Sequence, residues 1–245
     1  EAPQQPRGRH RGEPGIERVD TVEIEAAMRT AAHGFGDRVA RTFEDPRSVI
    51  HLEDAKTFFS QQKQGYDVIV AEPSNPWVSG VASLFSDEFY RTIGNYLTED
   101  GLLVQWLQLY EFNDTLAFSV LKGLSQNFDD YAIYNTDNLN VLIVAKRSGN
   151  LPEPSFDRLF GGPLAAELAH VGLRGPDDVL VRKTGSKAIL EPLLAEARVP
   201  ANSDYFPFLD LNAGEARFRE DVSTLFQTWS IVPIQYSFGT MLART

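Results

Sequence analysis

Carboxylate side chains follow three strand-like apolar runs of the chain. Glu23 closes the first run, Asp54 comes two residues after the second, and Glu72 comes directly after the third. Ligands of open parallel sheets bind at the carboxyl ends of the strands. If the three runs belong to one sheet, these side chains line one edge of it, where they could hold a nucleoside and a basic group.

The residue types suggest a role for two of these acids. A carboxylate at the position of Glu23 can accept hydrogen bonds from both hydroxyl groups of a ribose. Asp54 could accept a hydrogen bond from an adenine amino group while backbone amides from Ala55 onward meet the ring nitrogens. Asp54 also suits the N-cap of the helix that follows it, and the two roles are compatible.

The loop from Glu72 to Trp77, Glu-Pro-Ser-Asn-Pro-Trp, is the most informative segment of the chain. Its two prolines fix an irregular path after a buried strand and hold the neighbouring side chains in place. A site loop would use that rigidity, whereas a simple connection between a strand and a helix would not need it.

The elements that must position these residues alternate between strand and helix patterns. This alternation predicts a doubly wound α/β fold with a mostly parallel sheet. The predicted strands cover residues 18–24, 48–52, 67–71 and 102–107, and two later runs, 131–135 and 140–145, form a closing antiparallel hairpin. The predicted helices cover residues 26–33, 55–62, 87–97 and 114–128, with Ser86 as the N-cap of the third.

The chain divides by composition into three parts. Residues 1–15 are rich in Pro, Gly and Arg and are predicted to be a flexible lead-in. Residues 16–147 form the α/β domain. A linker rich in proline follows, and residues 148–245 form a helical extension packed on the sheet, with helices at 156–169 and 187–197 and an aromatic stretch at 203–211.

Composition excludes several classes of function. Cysteine is absent and the four histidines show no ligand spacing, so we expect no metal. A net charge of −11 argues against a nucleic-acid partner and suits a cationic substrate, although it also simply keeps a domain soluble. No run of about 18 apolar residues predicts a membrane span, and a cytoplasmic location is expected.

Half of the chain resembles the spermidine synthase family, and most closely a bacterial branch that is fused to membrane transporter segments. The matching stretches are GIERVDTVEIE at 15–25, HLEDAKTFF at 51–59, YDVIVAEPSNPW at 66–77, SLFSDEFY at 83–90, GLLVQWLQLY at 101–110 and NSDYFPFLDL at 202–211. The resemblance implies the fold of class I S-adenosylmethionine-dependent methyltransferases. It also implies a cytoplasmic domain of a longer membrane protein, and it is compatible with a homodimer.

The resemblance implies transfer of an aminopropyl group from decarboxylated S-adenosylmethionine, a co-substrate, to a polyamine such as putrescine, with methylthioadenosine as the product. No tightly bound cofactor is expected. By motif, Glu23 would hold the ribose, Asp54 and Ala55 the adenine, and Glu72 would accept the proton of the attacking amine. The substrate-binding residues implied are Asn75, Trp77, Gln105 and Tyr110.

Two departures from the family pattern bear on activity. The family loop reads close to Asp-Ser-Ser-Asp, whereas this chain has Glu72 at the first position and Asn75 at the last. The family's first strand and glycine-rich loop are expected just before Gly15, where QQPRGRHRGEP shows neither. Either the chain is truncated there or another segment fills the slot, since a missing central strand leaves unpaired edges on both neighbours.

Two other functions share these features. An S-adenosylmethionine-dependent methyltransferase has the same sheet and the same acidic strand ends. A degenerate, non-catalytic module that binds a polyamine or a nucleoside, within a transporter-associated protein, would explain the missing glycine loop. An assay with both donors separates the first alternative from aminopropyl transfer, and turnover excludes the second.

Overall fold

The computed structural model of the chain describes residues 15–226 except for Lys63, Asn138 and Pro163, so the predicted lead-in lies almost wholly outside the described residues. Seven strands are present in this part of the chain: β1 (Val19–Glu23), β2 (Ser48–Leu52), β3 (Tyr66–Ala71), β4 (Leu97–Gln108), β5 (Asp130–Asp137), β6 (Asn140–Lys146) and β7 (Lys183–Ser186). The α-helices are α1 (Ala26–Ala32), α2 (Ala40–Glu44), α3 (Ala55–Gln61), α4 (Asp87–Gly94), α5 (Asp114–Asn127), α6 (Ala165–His170), α7 (Pro176–Leu180), α8 (Lys187–Glu196) and α9 (Phe208–Phe218).

The chain forms two compact units. Of the described residues, the first unit comprises 15–62 and 154–178 without Pro163, and the second comprises 64–153 and 179–226 without Asn138. The strands divide accordingly, because β1 and β2 make a two-stranded sheet in the first unit while β3 to β7 make a five-stranded sheet in the second.

In the first unit, β1 and β2 pair in parallel with Val19 opposite Ser48 and Glu23 opposite Leu52. Helix α3 follows β2 and supplies the buried aromatic side chains Phe58 and Phe59. The imidazole ring of His51 lies 4.8 Å from the Phe58 ring, centroid to centroid. This packing fixes the direction in which α3 leaves the end of β2.

In the second unit the strand order is β3-β4-β6-β5-β7. Strands β3 and β4 are parallel, and the predicted hairpin of β5 and β6 is confirmed as an antiparallel pair. Strand β6 also pairs antiparallel with β4, so β5 runs in the same direction as β3 and β4. The carboxyl ends of these three strands therefore lie at one edge of the sheet.

The two faces of the five-stranded sheet differ in burial. Side chains at alternate positions of β4, such as Leu103 and Leu107, are fully buried, as the period of a strand requires. Helix α5, in the same unit, contributes a buried apolar face that includes Leu116, Val120 and Leu124. On strand β3, in contrast, Val68 and Val70 are 54% and 65% exposed.

The expected α/β fold is confirmed, with a mixed sheet in place of a mostly parallel one. The strands that the structure describes form two separate sheets, with two parallel and three antiparallel strand pairs. Among the described strands, β4 alone pairs with β3, so β3 is an edge strand of its sheet.

The extension predicted to be helical contributes a strand as well. Strand β7 pairs antiparallel with β5 and joins the sheet at its edge. The helix predicted for residues 156–169 is confined to α6, since Gly161, Gly162 and Pro163 interrupt the pattern before it. Helix α8 was predicted to within one residue.

Candidate functional site

Glu23 and Asp54 lie at the same end of the two-stranded sheet in the first unit. Glu23 is the last residue of β1, and Asp54 follows β2, whose last residue is opposite Glu23. The backbone amide of Glu53 donates a hydrogen bond to the carbonyl oxygen of Glu23 at 3.1 Å. The parallel pairing thus places both carboxylates beside the beginnings of helices α1 and α3.

Both carboxylates also stabilise local turns. The Glu23 carboxylate accepts a hydrogen bond from the amide of Glu25 at 2.8 Å. Asp54 is the N-cap of α3, as predicted, and accepts hydrogen bonds from the amide and the hydroxyl of Thr57 at 2.9 and 3.1 Å. An ionised carboxylate offers about four lone-pair sites, so each side chain retains acceptor capacity for a ligand.

The loop after β3 is held by contacts within the second unit. The amide of Val78 donates to the carbonyl oxygen of Asn75 at 2.9 Å. The Tyr110 hydroxyl donates to the side-chain oxygen of Asn75 at 3.3 Å, which joins the loop to the segment after β4. Glu72 is exposed and directly follows β3.

Trp77 differs from the expectation of an amine-binding aromatic. The guanidinium carbon of Arg217 lies 5.3 Å from the centre of the Trp77 ring, so a cation of the protein itself covers a face of this ring. The same Arg217 side chain lies 3.8 Å from a carboxylate oxygen of Glu111, measured from its Nε atom. Trp77 therefore anchors α9 to the loop.

Gln105 is also placed differently from the expectation. Its side chain is fully buried and donates hydrogen bonds to the carbonyl oxygens of Ala71 at 3.3 Å and Trp106 at 2.9 Å. Its side-chain oxygen has no partner among the described residues. Successive residues of a strand face opposite sides of the sheet, so the neighbouring Trp106 faces away from the buried side that Gln105 occupies.

A cavity of about 460 Å³ lies within the second unit, beside the carboxyl ends of β3 and β4. It contains two of the predicted residues, Glu72 and Tyr110. Its lining combines two acids, two aromatic side chains and apolar groups: Val70, Glu72, Trp106, Tyr110, Thr136, Asp137, Asn140 and Leu142. None of these described lining residues is Lys or Arg.

The cavity is suited to an organic cation. Two carboxylates with no basic residue in the described lining favour a positively charged ligand electrostatically. The faces of Trp106 and Tyr110 could add cation–π attraction of about 0.5 to 2 kcal/mol. Tyr134 lies opposite the lining residue Leu142 in the sheet. Burial raises the pKa of the Tyr134 hydroxyl, and the carboxylate of Glu153 raises it further. The hydroxyl is therefore neutral near pH 7.

Besides the aliphatic Val70 and Leu142, four lining residues were not found from the sequence: Trp106, Thr136, Asp137 and Asn140. Thr136 and Asp137 end β5 and Asn140 begins β6, whereas the sequence placed residues 136 and 137 in the turn and residue 140 at the start of a strand. The direction of β5 is the feature that could have indicated these residues. A strand parallel to β3 brings its last residues to the same edge as Glu72.

The predicted site residues thus fall into two groups. Glu23, Asp54 and Ala55 belong to the first unit, at one edge of its sheet, whereas Glu72 and Tyr110 line the cavity of the second unit. The convergence of Glu23, Asp54 and Glu72 on one rim stays a prediction. Among the described residues, no group of three or more His, Asp or Glu side chains could hold a metal ion.

The family model of the spermine/spermidine synthase domain matches residues 13–140, which is more than half of the chain. This match includes the predicted acids of both units and the loop after β3. It also includes the turn between β5 and β6.

Curated relatives are similar over about half of the chain. The polyamine aminopropyltransferase of Moorella thermoacetica is 32% identical over 123 residues, which are 50% of this chain and 43% of the relative. That of Sodalis glossinidius is 35% identical over 122 residues, which are 49% of this chain and 42% of the relative. The match therefore spans less than half the length of these relatives.

Solved structures that are similar to part of this chain include the spermidine synthase from Thermotoga maritima, with a TM-score of 0.45 and 22% identity over 56% of this chain and 47% of that chain. A probable spermidine synthase from Corynebacterium glutamicum has a TM-score of 0.48 and 18% identity over 76% of this chain and 63% of that chain.

Proposed function

Because the chain belongs to the spermine/spermidine synthase domain family, we propose that it transfers an aminopropyl group from decarboxylated S-adenosylmethionine to a polyamine acceptor. The products are an amine lengthened by three carbons and one nitrogen, and methylthioadenosine. The observation that carries the proposal is the acidic, aromatic cavity beside Glu72, whose described lining has no basic side chain.

The acceptor must lose a proton as it reacts. A primary ammonium group has a pKa of about 10.4, so almost all of the amine is protonated at neutral pH and its lone pair is not free. Glu72 is the acid in the cavity that directly follows a strand of the parallel pair, and it serves as the base that takes this proton. General base catalysis of this kind contributes about 10²- to 10⁴-fold to a rate.

The reaction is a single displacement at carbon. The nitrogen lone pair attacks the methylene carbon bonded to the sulfonium sulfur, and a carbon–nitrogen bond forms. The carbon–sulfur bond breaks and its electron pair goes to sulfur, which becomes the neutral thioether of methylthioadenosine. The proton of the nitrogen goes to the Glu72 carboxylate, so charge and atoms balance.

The donor nucleoside is assigned to the first unit. The Glu23 carboxylate accepts hydrogen bonds from the ribose hydroxyls, and the Asp54 carboxylate accepts one from the adenine amino group. The backbone at Ala55 faces the ring nitrogens. Each carboxylate makes local hydrogen bonds that fix its orientation before a ligand arrives. A side chain that is already oriented loses little conformational entropy on binding.

A polyamine-binding module without turnover is the second candidate. It is favoured by Asn75, a neutral amide at a position where the family loop carries an acid, whose oxygen is engaged by the Tyr110 hydroxyl. An amide accepts a hydrogen bond from an ammonium group but supplies no negative charge. Such a module would bind amines and leave the donor unchanged.

The test is a turnover assay on the purified chain with decarboxylated S-adenosylmethionine and 1,4-diaminobutane. We expect methylthioadenosine and the lengthened amine in equal amounts, and a loss of about 10²-fold or more in kcat for Glu72→Gln. Glu99→Gln removes the same charge from an exposed position of β4 and should leave kcat unchanged. With S-adenosylmethionine as the donor, no methylated amine should form.

Amine binding without any methylthioadenosine would support the non-catalytic module instead. Methyl transfer from S-adenosylmethionine would identify a methyltransferase. Equal rates for the wild type and Glu72→Gln would contradict the role assigned to Glu72.

A further inference from the structure

Trp77, the last residue of the loop after β3, is contacted from the carboxyl-terminal part of the chain. The guanidinium carbon of Arg217, in the last turn of α9, lies 5.3 Å from the centre of the Trp77 ring. The Nε atom of Arg217 lies 3.8 Å from a carboxylate oxygen of Glu111, which follows β4. Arg217, Trp77 and Glu111 form what we term the arginine clamp, and it joins three segments of the second unit.

The backbone around the arginine clamp is strained. Among the described residues, Glu111 and Glu220 are the two non-glycine residues with a positive φ, at 50° and 54°. Such values are uncommon for a residue with a Cβ atom and persist only where the surrounding contacts impose them. Glu111 belongs to the clamp, and Glu220 comes three residues after Arg217. Strain of this kind is concentrated at functional sites.

The end of α9 explains the strain at Glu220. The amide of Asp221 donates a hydrogen bond to the carbonyl oxygen of Ala216 at 3.0 Å, and the amide of Glu220 donates to that of Arg217 at 3.0 Å. This pair of bonds is the Schellman motif, which requires a left-handed residue where Glu220 lies. The motif fixes the turn of helix from which the Arg217 side chain extends.

The segment after α9 also fixes the backbone at Glu111. Val222 forms isolated β-bridges with Tyr110 and Phe112, the two neighbours of Glu111. The amide of Phe112 donates a hydrogen bond to the carbonyl oxygen of Asp221 at 3.0 Å. Main-chain contacts therefore set the position of Glu111 relative to the end of α9.

A contact at Trp77 restricts the whole loop, because the loop has few free backbone angles. Pro73 and Pro76 fix their own φ angles, and each proline also restricts the residue before it, which is Glu72 or Asn75. The hydrogen bond on the Asn75 side chain ties the middle of the loop to the segment after β4. The direction of the Glu72 side chain thus depends on how the end of the loop is held.

We propose that Arg217 is a positioning residue, which holds the loop of residues 72–77 in the conformation that presents Glu72 to the cavity. The inference rests on the proposed function, in which Glu72 takes the proton of the reacting amine. Arg217 acts through Trp77 and contacts no substrate. It lies outside residues 13–140, which the family model matches, so the carboxyl-terminal part of this chain contributes it.

The test is steady-state kinetics with decarboxylated S-adenosylmethionine and 1,4-diaminobutane. Arg217→Gln removes the cation, so the loop occupies the productive conformation less often and kcat should fall about 3- to 10-fold. The KM for the donor should stay at the wild-type value, since the acids assigned to the nucleoside belong to the first unit. Arg217→Lys keeps a cation for the Trp77 ring and should restore kcat to within about 2-fold of the wild type.

Arg219→Gln is the matched control. The Arg219 side chain is 64% exposed, compared with 58% for Arg217, and it pairs with Glu215 on the surface of α9. Its substitution removes the same charge and should leave kcat unchanged. A double-mutant cycle identifies the route, because Arg217→Gln should have no further effect on kcat in a Trp77→Leu background.

Acrylamide quenching of tryptophan fluorescence measures the clamp without turnover. Arg217→Gln uncovers a face of the Trp77 ring, so quenching should increase relative to the wild type and to Arg219→Gln. The increase should vanish in a Trp77→Phe background. Equal quenching in the wild type and Arg217→Gln would refute the clamp whatever the activity.

The remaining outcomes separate this inference from the proposed function. Unchanged kcat in Arg217→Gln, or an equal loss of kcat in the Trp77→Leu background, would refute the positioning role and leave aminopropyl transfer standing. If the wild type releases no methylthioadenosine, aminopropyl transfer fails, and the calorimetric affinity for 1,4-diaminobutane then replaces kcat: Arg217→Gln should weaken it and Arg219→Gln should not. A wild type that neither turns over nor binds the diamine refutes both proposals.

Discussion

Asp20 lies at the centre of an ionic cluster in the first unit. Its side chain is only 2% exposed, and both of its oxygens accept hydrogen bonds from Arg18, the closest at 2.8 Å. The Nε2 atom of His51 lies 2.8 Å from the same carboxylate. Burial acts to raise the pKa of Asp20, but the hydrogen bonds and charges of Arg18 and His51 outweigh it, so the pKa falls below its usual value of 3.8.

This lowered pKa makes the stability of the first unit sensitive to acid. A carboxylate whose pKa is lower in the folded state contributes stability above its unfolded pKa, and that stability is lost as the pH falls through the folded pKa. The free energy of unfolding of the wild type should therefore decline more steeply below about pH 4 than that of Asp20→Asn. Urea unfolding at a series of pH values measures how the free energy of unfolding of each protein changes with pH.

Glu17→Gln is the matched control for the acid prediction. Glu17 is an exposed carboxylate of the same unit and lies three residues before Asp20. Its substitution should preserve the steep wild-type decline. Parallel profiles for the wild type and Asp20→Asn would show that the cluster contributes no acid sensitivity.

Part of the candidate site could be predicted from single residues. Glu23, Asp54 and Glu72 were found because each follows a recognisable strand, and the positions of all three relative to those strands agree with the structure. Asp137 was missed because its importance depends on the direction of β5, which pairing sets. The position of Gln105 on the buried face depends likewise on which side of β4 the helices cover.

At the scale of elements, the beginning of α4 shows how one side chain defines a helix end. The Ser86 hydroxyl accepts a hydrogen bond from the amide of Phe89 at 3.2 Å and donates one to the carbonyl oxygen of Ser83 at 2.9 Å. Ser86 is fully buried. Water therefore cannot replace these bonds when the hydroxyl is removed.

Ser86→Ala should lower the free energy of unfolding by about 1 to 2 kcal/mol, the upper part of the range for an N-cap, because it also leaves the Ser83 carbonyl without this partner. Chemical denaturation monitored by the fluorescence of Trp77 and Trp106 reports on the second unit. Thr92→Ala removes an exposed hydroxyl from the last turn of α4 itself, in the same unit, and should change stability by less than about 0.5 kcal/mol. Equal losses in the two variants would contradict the capping role.

Local patterns predicted most elements of the α/β half. The bounds of β2 agree to the residue, and those of β1, β3 and α3 agree within two. Strand β4 begins five residues before the prediction because Gly101 permits a close approach: a Cβ atom there would lie 2.8 Å from the Tyr66 carbonyl oxygen. Strand β7, with the sequence Lys-Thr-Gly-Ser, carries no apolar pattern and forms through its pairing with β5.

At the scale of the whole molecule, the two units carry different expected tasks. The acids assigned to the nucleoside belong to the first unit, and the amine cavity belongs to the second. No helix among residues 15–62, 64–137, 139–162 and 164–226 is both long and apolar enough to cross a bilayer.

Nucleoside binding should therefore respond to a change in the first unit alone. Glu23→Ala should weaken methylthioadenosine binding at least about 10-fold, since hydrogen bonds from the ribose to a charged group are lost. The same variant should retain the wild-type affinity for 1,4-diaminobutane. Isothermal titration with each ligand separately measures both effects.

Glu17→Ala, an exposed substitution in the same unit, should leave both affinities unchanged. A Glu23→Ala variant that binds methylthioadenosine as tightly as the wild type would remove the nucleoside from the first unit. Unfolding profiles of the two variants confirm that any loss of affinity is not a loss of folded protein.

Strand β3 gives the five-stranded sheet an open border. From Val68 to Ala71 its outer backbone groups pair with no described strand, and the side chains of Val68 and Val70 are more than half exposed. Backbone hydrogen bonds do not depend on the side chains of the added segment, so any extended polypeptide that pairs with β3 can add one strand to the sheet. The tendency of this protein to self-associate should thus grow with its concentration, and dilute samples are the appropriate ones for measuring affinities.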